Sequence, residues 1–452
     1  MSEKDTRREW RRKRRIRNQI IAYCVMLILV VAAGGGAFLG IQTAKGAYLE
    51  NQIQKEEAAQ ALLEESLAQE SAEAEAAVAE LLEMGTEQEE ETKEEYTAEI
   101  ALEELVAECI SGMTLEEKVA GLFFITPEQL TGVSKAVAAG DSTKEALQKY
   151  PVGGIIYFKQ NIQDENQLKE MLANTASYST FPIFLGVDEE GGRVARVASA
   201  LGIEGVEAMG EVASAGDPQA VYDSNKFIGT YLSSYGFNVD FAPVADVLTN
   251  ADNTSIGDRS FGDDPATVSQ MVASAVQGLE DGGVSSCLKH FPGLGNAAED
   301  THEQAAQTDR TKEEMQEAEF LPFSAGIEAG VDMVMVGHIS ATELTGGEKV
   351  PASISEDIIT GILRKELGYN GIVITDAMNM GAITEYYEAD VAAIKALKAG
   401  ADMVLMPEDF AAAYEGVLKA VQDGTISEER VNDSLSRIYR VKYADKISRD
   451  GI

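Results

Sequence analysis

Residues 333–376 open with M-V-M-V-G-H (333–338), continue past a polar loop into I-S-E-D-I-I-T-G-I-L-R-K-E-L (354–367), and close on G-I-V-I-T-D (371–376). The two short runs are apolar at nearly every position, and the segment between them is apolar at helical spacing. A strand apolar on both faces belongs in a parallel sheet covered by helices. The same unit recurs in both directions along the chain. Strands are expected over 121–125, 154–158, 183–187, 238–242, 285–288, 333–336, 371–375 and 403–406. Amphipathic helical segments lie at 266–278, 312–329, 354–367 and 389–398. Eight such units in about 350 residues predict an α/β fold, a single (β/α)8 TIM-type barrel over 105–452. An open doubly wound sheet is the alternative, but no Gly-rich phosphate turn follows the first strand.

Charge divides the rest of the chain. The 452 residues carry a formal −39, from 76 Asp plus Glu against 37 Lys plus Arg, which argues against a nucleic-acid partner. Residues 1–45 hold ten Lys/Arg and three Asp/Glu, and residues 46–104 hold nineteen Glu and two Lys. A basic tail (1–19) runs into an uncharged stretch (20–41) long enough to span a bilayer as a helix. The reading is a transmembrane signal anchor, N-terminus in the cytoplasm, with the barrel outside a single-pass cell membrane protein. A cleaved signal peptide is the competing reading. Residues 42–104, rich in Ala and Glu without Pro, are read as an acidic helical stalk. Three scattered cysteines make neither a disulfide framework nor a zinc cage. Oligomeric state is silent in the sequence.

The expected strands end in unusual residues. Asp188-Glu189-Glu190-Gly191-Gly192-Arg193 and then Arg196 follow the third, and the fourth runs into Asp240 and Asp246. Lys289-His290 closes the fifth, His338 the sixth and Asp376 the seventh. Barrel chemistry sits at this C-terminal rim, where the βα loops converge. All three histidines, His290, His302 and His338, fall on it or in its loops. The loop 289–302, with Pro292, Gly293 and Gly295, reads as a mobile lid. Within it, Asp300 and His302 are spaced to pair, the carboxylate orienting a protonated ring as a general acid. A zinc site is disfavoured, because Ala306 stands where an HExxH helix needs its second His. No metal and no cofactor are expected.

The run Lys289–His302, of the form K-H-F-P-G-x-G…D-[ST]-H, resembles the bacterial β-N-acetylglucosaminidases of glycoside hydrolase family 3. Residues 187–196, 238–247, 258–262 and 375–378 resemble further segments of that family, in order, and the similarity extends over about 105–444. The resemblance implies Asp376 as catalytic nucleophile, His302 as acid/base and Asp300 as its partner. It implies Asp188, Arg196, Arg259, Lys289 and His290 as holders of the non-reducing-end sugar. Leu294 departs from a His common at that place in close relatives, which mainly affects loop detail, since the position is not assigned to catalysis. The family's barrel-plus-sandwich β-glucosidases take their acid/base Glu from a second domain. With 46 residues after Met406 no such domain is expected, which implies the histidine-acid subgroup. The implied activity is retaining hydrolysis of terminal N-acetyl-β-D-glucosamine from glycans, such as peptidoglycan fragments, through a glycosyl-Asp intermediate. Phosphorolysis of the same glycosides and a catalytically silent cell-wall-binding barrel are the alternatives.

Overall fold

In the computed structural model of the protein, residues 98–297 and 306–444 are described. Eight strands form the central sheet: β1 (Phe123–Ile125), β2 (Gly154–Tyr157), β3 (Phe184–Val187), β4 (Val239–Asp240), β5 (Ser285–Phe291), β6 (Met333–Val336), β7 (Ile372–Thr375) and β8 (Val404–Leu405). They lie in the order β7-β6-β5-β4-β3-β2-β1-β8, every neighbouring pair parallel. Phe124 stands opposite Leu405 on one side and Gly154 on the other. Met403 N–H donates to Val373 O and Thr375 N–H to Met403 O, both at 3.1 Å, so β8 also joins β7 and the ring closes. All eight strands fall where the apolar runs predict them.

The barrel interior is filled by rings that its glycines admit. Phe124 packs edge-on against Phe241 at 5.1 Å and stacks with Phe184 at 6.3 Å. A Cβ on Gly154 would sit 2.5 Å from the Phe124 ring, and one on Gly186 2.8 Å from it. Any larger residue on β2 or β3 would displace that ring.

Outside the ring, helices cover the sheet. Pro218–Tyr235 and Pro265–Gly282 each begin with Pro behind an Asp cap, Asp217 accepting from Gln219 N–H (2.9 Å) and Asp264 from Thr267 N–H (2.8 Å). Each buries one stripe, including Ile228 and Leu232 in the first and Met271, Val272 and Leu279 in the second. At the N-terminal end of β8, Asp402 is fully buried. Its carboxylate accepts from Val373 N–H (2.9 Å), Ser434 Oγ (2.8 Å), Arg437 Nη1 (3.1 Å) and Arg364, and faces Arg430 at 3.6 Å. One acidic side chain thus ties β7 to the last helix, Glu428–Tyr443, and to the π-helix Asp357–Glu366.

Three expectations are corrected. The segment 312–329 is two helices, Lys312–Glu317 and Phe320–Ala329. The backbone leaves helical geometry at Ala318 (φ −135°, ψ −80°), just before buried Glu319, and Pro322 is tolerated in the first turn of the second helix. A transmembrane helix does not belong to the described fold. Among the described residues no helix is long and apolar enough to cross a membrane, since the long helices each carry a polar face. The placement as a single-pass cell membrane protein is withdrawn with it. The expected span (20–41), the basic tail (1–19) and residues 42–97 of the expected stalk lie outside the described residues.

Candidate active site

At the C-terminal ends of β3, β4 and β5, charged side chains form one connected chain. Lys289, the fifth residue of β5, is buried and places Nζ 2.8 Å from Asp188 Oδ1 and 2.5 Å from Glu190 Oε1. Glu190, in the short hairpin after β3, is gripped at two points by Arg259 from the loop after β4: Nε to Oε2 at 2.7 Å and Nη2 to Oε1 at 2.9 Å. Burial would push the Glu190 carboxyl up, but Arg259 and then Lys289 outweigh it and hold it far below the usual range. Burial in turn favours the neutral Lys289 amine, and Asp188 and Glu190 reverse that, keeping it cationic. Arg193 anchors the same loop, its Nη2 donating to the carbonyls of Thr254, Ser255 and Ile256 at 2.7–2.9 Å. Arg196 begins a short helix beside these residues, and its Nε is buried with no hydrogen-bond partner among the described residues.

Asp246 organises the next strand end. It is fully buried; its Oδ2 meets His290 Nδ1 at 2.7 Å, and its Oδ1 accepts from Leu294 N–H at 2.6 Å. A carboxylate only accepts, so Nδ1 carries the proton and Nε2 is the ring's outward nitrogen. The stretch Phe291–Gly295 is buried throughout, and Asn253 Nδ2 holds Leu294 O at 2.7 Å. Its glycines serve close approach rather than motion: a Cβ on Gly293 would meet Glu319 Cγ at 2.6 Å, and one on Gly295 would strike the Val247 carbonyl. This part of the expected lid is packed into the rim.

Asp376 follows β7 directly and is partly accessible. Its Oδ1 accepts from Ala377 N–H at 2.7 Å. Burial alone would raise its carboxyl, yet His290, then His338, the Ala377 N–H and Lys289 together hold it below the usual carboxylate value. A carboxylate that four cationic or dipolar groups hold in its charged form is better suited to nucleophilic attack than to proton donation.

Of the residues singled out from sequence, Asp188, Arg259, Lys289, His290 and Asp376 are brought to this rim through direct contacts or mutual electrostatics, and Arg196 borders it. His302 and Asp300 lie outside the described residues. The structure adds Glu190 and Asp246, which neutralise and orient the others. Both were visible in the sequence as acids at strand ends, but their partners, Arg259 at 69 positions and His290 at 44, were not.

The model of the glycosyl hydrolase family 3 N-terminal domain matches residues 114–441. β-Hexosaminidase A of Pseudoalteromonas piscicida is 33% identical over 325 residues, 66% of this chain and 54% of that one. A β-hexosaminidase of Xanthomonas axonopodis pv. citri is 34% identical over 285 residues, 61% of this chain and 82% of that protein. The solved family 3 β-N-acetylglucosaminidase of a Paenibacillus species superposes with a TM-score of 0.69 at 34% identity, covering 74% of this chain and 63% of that one. The chain belongs to glycosyl hydrolase family 3, through that family's N-terminal domain. The family defines a glycosyl hydrolase, and these relatives are named β-hexosaminidases and a β-N-acetylglucosaminidase. The chain spans about half the length of the Pseudoalteromonas enzyme and under two thirds of the Paenibacillus one.

Proposed function

We propose that this chain removes terminal non-reducing N-acetyl-β-D-glucosamine from glycans by retaining hydrolysis. The observation that carries the reading is Asp376 at the end of β7, faced by His290, His338 and Lys289, which hold its carboxyl below the usual value. Asp376 attacks the anomeric carbon, the glycosidic bond breaks through an oxocarbenium-like transition state, and a glycosyl-Asp ester forms. His302, oriented by Asp300, protonates the leaving oxygen, then takes a proton from the water that cleaves the ester. Asp188 accepts from sugar hydroxyls. Arg196, whose Nε has no partner among the described residues, Arg259 and Lys289 donate to hydroxyl or acetamido oxygens, and His290 accepts from a hydroxyl through Nε2. Glu190 spaces the cations so that a neutral sugar can enter. Peptidoglycan-derived fragments are the proposed glycans. The domain division at residue 105 is likewise proposed, and the barrel is taken as the catalytic unit.

The test compares an aryl N-acetyl-β-glucosaminide with the matching aryl β-glucoside, each with and without phosphate. Preferential release from the first, with free sugar as product in both buffers, supports the reading. Preference for the glucoside, a sugar phosphate product, or no turnover would each overturn it.

A further inference from the structure

Between β6 and β7 lies a buried polar chain to which the chemistry above assigns no task. His338 and Ser353 are both fully buried. His338 Nε2 lies 2.9 Å from the carbonyl oxygen of Ala377. A carbonyl only accepts, so Nε2 carries a proton. Its Nδ1 lies 2.8 Å from Ser353 Oγ, and Ser353 N–H donates to Gly337 O at 3.0 Å. The serine is therefore held by the same segment that carries the histidine. Ala377 donates its own N–H to Asp376 Oδ1, and Asp376 N–H is tied to Val336 O at 2.8 Å. An imidazole and a hydroxyl at zero exposure are costly to bury, and an apolar pair would fill the same space more cheaply. What they gain is a fixed Ala377, pinned at its carbonyl by His338 while its N–H meets the Asp376 carboxylate.

We propose that His338 and Ser353 are positioning residues for Asp376: Ser353 sets the ring, the ring pins Ala377, and Ala377 fixes the attacking carboxylate's rotamer in its ionised form. This rests on Asp376 being the nucleophile. Among the described residues, the titratable groups facing that carboxylate are His290 and Lys289 at the end of β5 and His338 after β6; Cys287, lower on β5, also feels its charge. Removing His338 takes away one of the two imidazoles that offset burial, so the Asp376 carboxyl rises and the acid limb of its reactivity moves to higher pH. Removing Ser353 loosens the ring and moves the same limb less.

The experiment uses the full chain and a 5-fluoro-N-acetylglucosaminyl fluoride, which traps a glycosyl-enzyme. Covalent labelling is followed by intact mass against pH and reagent concentration, and peptide mapping locates the label. In the unaltered chain it should fall on Asp376. Ser353→Ala should label roughly three- to tenfold more slowly at saturation, with its acid limb raised and its half-saturating concentration unchanged. His338→Gln, which can still offer an N–H to Ala377 but no imidazole, should recover part of the rate lost in His338→Ala while keeping the raised acid limb. Where His338→Ala fails to fold, Ser353→Ala and His338→Gln decide. Wild-type rates and unmoved acid limbs in both overturn the positioning role. A label on another residue in the unaltered chain overturns the assignment of Asp376 instead.

Discussion

Arg259 and Glu190 meet in a two-point ion pair, at 2.7 and 2.9 Å, that fastens the loop after β4 to the hairpin after β3. Lys289 closes on the same carboxylate from β5. Glu190→Gln leaves Lys289 with Asp188 alone and strips Arg259 of its carboxylate partner. Breaking such a pair from one side costs on the order of 3–5 kcal/mol. Urea unfolding should show a loss of that size. Sugar binding should also weaken, because Arg259 is no longer aimed.

Asp246 acts through His290. Asp246→Asn replaces an acceptor-only group with one that presents an N–H2 to ring or backbone donors, and the ring turns. Hydrogen bonds to charged groups contribute roughly 1.5–3 kcal/mol, so kcat/KM should fall about ten- to hundredfold. Far-ultraviolet circular dichroism should be unchanged.

Asp402 separates stability from chemistry. It touches three elements at the N-terminal end of the barrel, opposite the rim. Asp402→Ala strands three arginines and should lower stability by about 3–5 kcal/mol. At temperatures where the variant remains folded, the KM for an aryl N-acetyl-β-glucosaminide should be unaltered.

Asp240 gives a pH signature. Fully buried at the end of β4, it accepts Glu189 N–H at 2.9 Å, while its Oδ2 has no partner among the described residues. Burial first, then the charges of Glu189 and Asp188, lift its carboxyl well above the ordinary range against the opposing Glu189 N–H and Lys289. As pH rises past the ordinary carboxyl value the unfolded chain loses this proton first, so the site's stability falls with pH up to the folded-state value. Asp240→Asn removes that slope. Its stability relative to the unaltered chain should climb as pH rises above the ordinary carboxyl value in thermal unfolding; a flat difference would show that Asp240 titrates normally.

His302 is expected to betray its role through leaving groups. His302→Ala should hurt most with poor leaving groups, which need protonation, and least with activated aryl groups. Azide, needing no general base, should then restore turnover and yield a β-glycosyl azide. Asp300→Ala should show a milder form of the same pattern. Equal losses on good and poor leaving groups, with no azide effect, would remove His302 from the acid/base role.

The barrel was legible because each strand is buried on both faces and writes itself as an apolar run; even Val404–Leu405 lies inside the expected 403–406. The break at Ala318 was not, because the helical spacing runs straight through it to Glu319, which packs inward beside Gly293. Asp376, Lys289 and His290 stood out as polar residues ending apolar strands. Glu190, Asp246 and Ser353 did not declare their tasks, since each is defined by a partner on another element: Arg259, His290 and His338. Asp402 was invisible for the same reason, its arginines lying up to 38 positions away.

Retention is the most direct test of the central claim. Proton NMR of the anomeric region, recorded in the first minutes of hydrolysis of an aryl N-acetyl-β-glucosaminide, reads the configuration of the sugar as it leaves the enzyme. Two displacements, the first by Asp376, predict that β-N-acetylglucosamine appears first and the α-anomer grows in later by mutarotation. The α-anomer appearing first would mean a single displacement by water, and would contradict a covalent role for Asp376.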